Sequence, residues 1–306
     1  MTATTEHSIP TMSAKDIPQE AFDWYDEYAH GDIDRRTFLS RLGSLSIAGL
    51  TLPVVAGALL PNYALAEQVS FNDSDIQASY VTFDTPNGHG QGRGYLVIPK
   101  GVDANNKAPT VLVAHENRGL NPYIEDVARR LAKAGFIAFA PDALFPLGGY
   151  PGNDDEGRVM QKTLDGAKIE GDFMDAASLL EKHAYGTGKV GMVGFCYGGY
   201  LTNTLAANMP NTIAAAAPFY GTPAKAHIEQ IKGPLQLHFA ELDKRVNATW
   251  PAYEEALKKH KVPYTAYVYT NANHGFHNDS TARYQEKNAE LAWSRTLEFF
   301  TQNLAS

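Results

Sequence analysis

The 306-residue chain contains a single cysteine, Cys196. One thiol excludes an internal disulfide framework, and it also excludes a metal site built from several thiolates. Basic residues are scarce as well: 26 Lys and Arg stand against 34 Asp and Glu, which gives a formal net charge of −8. Because nucleic acid is bound by clustered Lys and Arg, this charge balance argues against a nucleic-acid partner.

The sequence also has no long, strongly hydrophobic run. The charge-free run over residues 42–66 is interrupted by three glycines and two prolines, so we expect no stable membrane span. Internal repeats and low-complexity tracts are absent too. The overall composition, 44% apolar and 20% charged, is that of an ordinary globular protein. The length suffices for one large α/β domain plus an extension.

An export motif precedes the charge-free run. Residues 34–41, "DRRTFLSR", resemble a twin-arginine signal, and Ala64-Leu65-Ala66 has the small-x-small pattern of a cleavage site before Glu67. We therefore predict an N-terminal extension over residues 1–66, a main domain over residues 67–306, and a periplasmic location.

An alternative is that the extension is retained, in the cytoplasm, as a helical segment packed on the main domain or on a second subunit. The long acidic and aromatic lead-in at residues 15–30 is unusual for a signal and favours this alternative.

Apolar runs alternate with amphipathic stretches throughout the main domain. Residues 79–83 and 92–99 are separated by a turn rich in Gly, Pro and Asn, which predicts a hairpin. Residues 108–116 form a nearly continuous β-branched run, typical of a strand buried on both faces, and a helix is predicted over 123–135. Further helices are predicted over 173–184, 250–261 and 288–304, and further strands over 136–144, 188–195, 214–221, 234–243 and 264–276. This alternation predicts an α/β fold with a mostly parallel central sheet and helices on both faces.

Cys196 lies in "GMVGFCYGGY", between a predicted strand and a run able to form a helix. The pattern Gly194-x-Cys196-x-Gly198 is typical of a nucleophile elbow, with Cys in place of Ser. The glycines are needed because side chains beside such a sharp turn would collide. Buried structural cysteine is the alternative, and the motif by itself does not decide between the two.

Two further residues follow in the order that an α/β-hydrolase requires. Asp243 follows a predicted strand 47 residues after Cys196, and His274 follows the next strand after another 31 residues. Taken singly, Asp243 would be interpreted as a turn or helix-cap residue and His274 as a surface loop residue. Together, at strand ends and in order, the three predict a Cys-His-Asp triad.

The stretches "GFCYGG" and "NHGF", with the strand-end Asp243, resemble the dienelactone hydrolase family (carboxymethylenebutenolidases) of the α/β-hydrolase superfamily. The resemblance extends from about residue 80 to the C-terminus. It implies an α/β-hydrolase fold and hydrolysis of a carboxylic ester or lactone through a thioester. It also implies that Cys196 is the nucleophile, His274 its general base and Asp243 the group that orients the imidazole.

The resemblance assigns supporting roles as well. The backbone N–H groups of Tyr197 and Asn117 are expected to form the oxyanion hole. Glu116 matches the family's carboxylate near the thiol, which gates its activation. An ion pair between Glu116 and the nearby Arg118 is an alternative that is compatible with this gating role.

The chain departs from the family pattern just after the histidine. Where the chloroaromatic-pathway enzymes have an arginine that holds the substrate carboxylate, "HGFHNDS" has His277 and an asparagine. Dienelactone itself is therefore not the expected substrate. Arg118, Arg158, Tyr220 and His277 are candidate substrate-binding residues; ordinary core packing is the alternative for Tyr220.

A metal site is the least favoured interpretation. His115, Glu116, His274 and His277 are residue types that bind zinc, but "HENRG" has glycine where H-E-x-x-H requires its second histidine. We expect no metal and no cofactor.

The expected partner is a small-molecule ester or lactone, and a homodimer is left open. Two other functions share these motifs: a non-catalytic binding protein with the α/β-hydrolase fold, and a thioester or peptide hydrolase on the same scaffold.

Overall fold

A computed structural model describes residues 17–45 and 52–304 of the chain. Its centre is a sheet of eight strands in the spatial order β1-β2-β4-β3-β5-β6-β7-β8. The strands are β1 (Ile76–Thr85), β2 (Gly90–Pro99), β3 (Ala108–Ala114), β4 (Ile137–Pro141), β5 (Gly186–Phe195), β6 (Ile213–Phe219), β7 (Leu235–Ala240) and β8 (Tyr264–Tyr269). The pairs β1–β2 and β2–β4 are antiparallel and all the others are parallel. The predicted mostly parallel α/β sheet is confirmed.

Helices cover both faces of this sheet, and others come from the N-terminal extension. The helices are α1 (Gln19–His30), α2 (Arg35–Ser44), α3 (Leu52–Leu59), α4 (Tyr63–Ala66), α5 (Pro122–Lys133), α6 (Asp154–Thr163), α7 (Gly166–Glu181), α8 (Tyr197–Asn208), α9 (Lys244–Asn247), α10 (Trp250–Lys259) and α11 (Glu286–Leu304). Short 3₁₀ turns lie at Phe145–Leu147 and Ile228–Gln230. Within the described residues, no helix combines the length and the apolar character that crossing a bilayer requires.

The central strand β3 shows why its sequence is a continuous apolar run. Val111 and Val113 face the core beneath α5 and α11, whereas Leu112 faces the opposite core beneath α7 and α8. Successive side chains of a strand point to opposite faces, so a strand covered on both sides is mostly apolar. The one polar residue of β3, Thr110, is buried and donates its hydroxyl to the Lys189 carbonyl oxygen at 3.0 Å.

Helix boundaries differ from the prediction where capping side chains decide them. Helix α7 begins at Gly166 rather than near 173, because the Asp165 side chain accepts a hydrogen bond from the Ala167 N–H at 2.9 Å. Helix α6 lies partly within residues 145–157, which the sequence predicted as a loop, and Asn153 caps it in the same way.

The described part of the N-terminal extension packs on the main domain. Helices α1 and α2 share an apolar cluster with α3, in which the rings of Tyr28 and Phe38 stack with centroids 4.9 Å apart. Asp34 of the "DRRTFLSR" motif caps α2 by accepting from the Thr37 N–H at 2.7 Å. Part of the predicted charge-free run, residues 46–51, lies outside the described residues. Export and cleavage after Ala66 remain predictions, and sequencing the N-terminus of periplasmic protein would test both.

We expect Phe173→Ala to destabilise the protein by about 3–5 kcal/mol, because the ring is fully buried between α7 and the sheet and its removal leaves a cavity. Leu179→Ala on the same helix is the matched control, since that side chain is 38% exposed, and we expect it to cost less than about 1 kcal/mol. Urea unfolding followed by circular dichroism measures both. Equal losses of stability would show that α7 does not cover the core as described.

Candidate active site

Cys196 lies on a sharp turn between β5 and α8. Its backbone φ is 57° and ψ is −112°, a left-handed conformation that is strained for any residue with a Cβ. A Cβ on Gly194 would overlap the carbonyl oxygen of Gly198, and one on Gly198 would overlap the carbonyl of Ala114. The structure therefore contains the tight strand-to-helix turn that the glycine pattern predicts.

His274 and Asp243 lie together beside this turn. The Nδ1 atom of His274 is 2.6 Å from Oδ2 of Asp243, and both side chains are buried. The other carboxylate oxygen, Oδ1, accepts from the Val246 N–H at 3.0 Å and caps α9. Asp243 is thus both the helix cap and the histidine's partner, one oxygen for each. Burial raises the pKa of Asp243, but His274 and the Val246 amide lower it by more, so the carboxylate stays ionised.

The sulfur of Cys196 completes this group. It lies within 4.8 Å of a ring nitrogen of His274, whose Nε2 is buried and has no hydrogen-bond partner among the described residues. Burial raises the pKa of Cys196, but His274 and His30 outweigh this effect and hold it well below its usual value. Burial lowers the pKa of His274, whereas Asp26, Asp243 and the Cys196 sulfur raise it, to about 10. The arrangement therefore favours a thiolate beside an imidazolium at neutral pH.

Two backbone positions predicted for an oxyanion hole line the same cavity as the thiol. Tyr197 is the first residue of α8, where backbone N–H groups have no partner within the helix. Asn117 follows β3, and its side-chain amide donates to the carbonyl oxygen of Ala29 at 2.8 Å. A carbonyl oxygen bound against this helix N-terminus would meet amide donors and the positive end of the helix dipole.

Glu116 is buried near the thiol and accepts a hydrogen bond from the Asn278 amide at 3.0 Å. Burial raises the pKa of this carboxyl group. The predicted ion pair with Arg118 is not formed: the Arg118 guanidinium instead contacts Asp154 at 2.7 Å. Arg118 is therefore engaged in a buried ion pair, and its substrate-binding role stays a prediction.

The other candidate substrate-binding residues divide into two groups. Tyr220 lines the cavity beside Cys196. Arg158 stacks on the Tyr28 ring of the extension, 4.7 Å from its centroid. His277 is buried in the core, where its Nδ1 lies 2.7 Å from the Tyr123 hydroxyl and burial keeps its pKa well below the usual value. Arg158 and His277 thus make internal contacts and are not among the residues that line this cavity, and their substrate-binding roles stay predictions.

Sequence reasoning missed most of the cavity wall. The cavity has a volume of about 440 Å³. Its lining comprises His30, Asn117, Cys196, Tyr197, Tyr200, Tyr220, Thr222, Pro223, Lys225 and Arg245. The two cations, Lys225 and Arg245, lie in loop and helix segments without a recognisable motif, so only the fold shows that they line the cavity.

His30 was missed for a different reason, because it belongs to the extension that the sequence predicts to be removed. Its Nε2 lies 3.3 Å from the Cys196 sulfur, and its ring meets the His274 ring edge-on with centroids 4.8 Å apart. The Nδ1 atom of His30 lies 2.8 Å from the Asp26 carbonyl oxygen and 3.3 Å from the Asp26 carboxylate. A second histidine, backed by a second carboxylate, therefore lies against the thiol.

The donor atoms of His30, Cys196 and His274 lie within 4.8 Å of one another, as do those of Asp26, Asp243 and His274. Nitrogen and sulfur donors of the first group are ones that zinc accepts. This is not the set considered from the sequence: both ring nitrogens of His115, for example, are engaged by backbone groups. The absence of a metal remains a prediction.

The eight-stranded sheet, the strained turn after β5 and the chain order Cys196, Asp243, His274 define the α/β-hydrolase fold. The family model for the dienelactone hydrolase family matches residues 93–304. The chain belongs to this family and is a hydrolase of ester or lactone bonds, which confirms the resemblance seen in the sequence. A second model, described as YqhI-like, matches residues 10–46.

Individual relatives agree with this assignment. "Putative hydrolase fragment YghX" of Escherichia coli is 64% identical over 107 residues, which is 35% of this chain and 90% of that protein. "Putative carboxymethylenebutenolidase" of Synechocystis is 32% identical, covering 75% of this chain and 98% of its own length. The crystal structure of "Putative Dienelactone Hydrolase" from Klebsiella pneumoniae superposes with a TM-score of 0.64 at 27% identity, covering 74% of this chain and 99% of that one.

We expect iodoacetamide to alkylate Cys196 at pH 6 within about threefold of its rate at pH 8, because a depressed thiol pKa keeps the thiolate populated in acid. An ordinary thiol would slow by roughly a hundredfold over this range. His274→Ala should slow alkylation at pH 6 at least about tenfold, because it removes a cation from the sulfur. His260→Ala, at an exposed histidine, is the matched control. An ordinary pH slope in the unmodified protein would contradict the thiolate–imidazolium pair.

Proposed function

We propose that the protein hydrolyses carboxylic esters or lactones by covalent catalysis, with Cys196 as the nucleophile. The observation that carries this proposal is the buried His274–Asp243 hydrogen bond of 2.6 Å, beside a thiol held on a strained turn at the wall of a cavity. A cysteine that only filled the core would need neither the strain nor the adjacent ionised pair.

In the first half of the reaction, the Cys196 thiolate attacks the carbonyl carbon of the ester. The negative charge that develops on the carbonyl oxygen is stabilised by the N–H groups of Tyr197 and Asn117. As the C–O bond breaks, the imidazolium of His274 gives its proton to the departing alkoxide. The products of this half are an alcohol and a thioester on Cys196; a lactone would stay attached as one molecule.

In the second half, His274 acts as the base. Formation of the thioester removes the thiolate charge that had raised the pKa of His274, so the neutral imidazole becomes available. It takes a proton from water as the oxygen attacks the thioester carbon. The C–S bond then breaks, releasing the acid and restoring the thiolate beside a protonated His274. Asp243 keeps Nδ1 protonated and the ring oriented throughout.

The cavity lining supports a substrate with a flat apolar body and a negative group. Tyr197, Tyr200 and Tyr220 line it together with the two cations Lys225 and Arg245. Lys225 lies 5.2 Å from the Tyr200 ring centroid. Aromatic walls accept unsaturated or aryl groups, and the cations attract an anion such as a carboxylate.

We expect Cys196→Ala in the full chain to lower kcat/KM for p-nitrophenyl acetate at least about a thousandfold while leaving the fold intact. In His274→Ala, deacylation lacks its base, so mass spectrometry of the protein with substrate should show the acyl mass on Cys196. Unchanged turnover in Cys196→Ala would refute the nucleophile assignment.

A panel of lactones, p-nitrophenyl esters, acyl thioesters and peptides, run on the full chain, separates this function from the alternatives. Turnover of esters and lactones supports the proposal. Preference for thioesters or peptides would favour a different hydrolase on the same scaffold, and tight binding without turnover would favour a binding protein.

We expect Lys225→Gln to raise KM about threefold to fivefold for an aryl ester carrying a carboxylate, because an exposed cation contributes up to about 1 kcal/mol. A neutral ester of the same size should be unaffected. Lys232→Gln, an exposed lysine outside the cavity, is the control. An equal effect on both esters would show that Lys225 does not interact with the carboxylate of the substrate.

A further inference from the structure

The C-terminal end of α1 lies directly on the thiol. His30, the last residue of the helix, has its Nε2 atom 3.3 Å from the Cys196 sulfur, and its side chain is largely buried. The sequence around His30 contains no recognisable catalytic motif. The helix belongs to the N-terminal extension rather than to the hydrolase domain. The contact is created by the way in which α1 packs.

We propose that His30 is a further catalytic residue of this site, sharing a hydrogen bond with the Cys196 sulfur, so that α1 is a permanent wall of the active site. This inference rests on the proposed role of Cys196 as nucleophile. It extends that role by assigning the thiol a second histidine, beside His274, supplied by the N-terminal extension.

The hydrolase domain carries buried charges whose partners are on α1. Arg283 is 4% exposed; it lies 3.6 Å from the Asp26 carboxylate and 4.7 Å from the Tyr25 ring centroid. Arg118, equally buried, contacts the Tyr25 hydroxyl at 3.4 Å as well as its ion-pair partner Asp154. Buried guanidinium groups need such partners. Removing α1 would therefore take the Asp26 carboxylate from Arg283 and the Tyr25 contact from both guanidinium groups, whereas Arg118 would keep Asp154.

The end of α1 that carries His30 is fixed independently. Asn117, the residue predicted for the oxyanion hole, donates its side-chain amide to the Ala29 carbonyl oxygen at 2.8 Å. Tyr28 is held between the stacked Phe38 ring and the Arg158 guanidinium. These contacts hold the end of α1 against the loop after β3, against α2 and against α6.

The groups that face His30 allow a proton to lie between its Nε2 and the sulfur. Asp26, on the same helix, holds the Nδ1 proton through its carbonyl oxygen. On the other side are Cys196, His274 and Arg245, whose Nη2 lies 2.6 Å from Nε2. A guanidinium only donates, so in this contact Nε2 of His30 accepts and the ring is neutral.

When Nε2 of His30 carries a proton and donates it to the Cys196 thiolate, Arg245 must turn away from the ring. An alternative partner is already near, because the Arg245 Nε lies 3.9 Å from the Asp26 carboxylate and the side chain is 38% exposed. Arg245 therefore has a partner in both protonation states of His30.

A removable cover is the competing interpretation of α1, and one observation argues against it. With α1 in place, the cavity of about 440 Å³ is lined by both Cys196 and His30. A substrate thus meets the thiol and the second histidine together, without any need for the helix to leave.

The test compares His30→Ala and His30→Gln in the full chain, with His227→Ala at an exposed histidine as the control. Glutamine keeps an N–H donor near the Nε2 position, and alanine does not. We expect His30→Ala to lower kcat/KM for a neutral p-nitrophenyl ester about 10- to 100-fold and to slow alkylation of Cys196 at pH 6 by a similar factor, as the loss of a hydrogen bond to a charged group predicts. His30→Gln should recover most of both, and thermal unfolding of each variant shows that the fold is kept.

Unchanged kcat/KM and alkylation in His30→Ala would overturn the proposal. An increase in kcat/KM would also overturn it and would identify α1 as an inhibitory cover. Failure of the proposed function gives a different result, namely continued hydrolysis by Cys196→Ala. In that case the alkylation rates still report on the contact between His30 and the sulfur.

Discussion

The left-handed backbone at Cys196 is the constraint on which the site depends. A residue with a side chain adopts φ 57° only where its surroundings enforce it, and here β5 enters the turn while α8 leaves it at once. Two glycines make room for the chain to pass close to itself and to β3. The turn places the sulfur at the carboxyl edge of the sheet, with the first N–H groups of α8 around it. The other groups of the site are arranged around the Cys196 sulfur.

The charged groups around the Cys196 sulfur form two similar histidine–carboxylate pairs. His274 is backed by the Asp243 carboxylate, and His30 is backed by Asp26, and both imidazoles lie close to the sulfur. The pairs differ in one respect: Asp243 bonds the ring directly through its side chain, whereas His30 bonds chiefly the backbone carbonyl of Asp26. The buried Asp243 carboxylate is hydrogen-bonded to the His274 ring and so fixes the orientation of the ring that transfers protons. The less direct pairing of His30 with Asp26 suits a residue whose role is to hydrogen-bond the Cys196 sulfur.

The extension shows how one stretch of sequence can satisfy two interpretations. In "DRRTFLSR", Asp34 caps α2 and Phe38 is buried against α1, while the paired arginines point outward. The motif therefore has a structural explanation in the full chain without losing its resemblance to an export signal. Retention of α1 in the active enzyme follows from the proposed role of His30, and it is the alternative that the acidic, aromatic lead-in favoured.

Local sequence determined much of this protein. The β-branched run of β3 required burial on both faces, the glycines around Cys196 required a tight turn, and the order of Cys196, Asp243 and His274 indicated which strand ends would meet. Family resemblance supplied the fold and the class of reaction. These features depend on short stretches of chain whose physical requirements are visible one residue at a time.

Tertiary structure alone decided the rest. Arg118, Arg158 and His277 had the right chemistry for substrate binding, yet Asp154, Tyr28 and Tyr123 engage them in internal contacts. Lys225 and Arg245 line the cavity from segments without a motif, and His30 contacts the Cys196 sulfur from 166 residues away along the chain. A side chain's role depends on what lies opposite it, and for these residues the opposite partner is set by packing between distant segments, which no local pattern encodes.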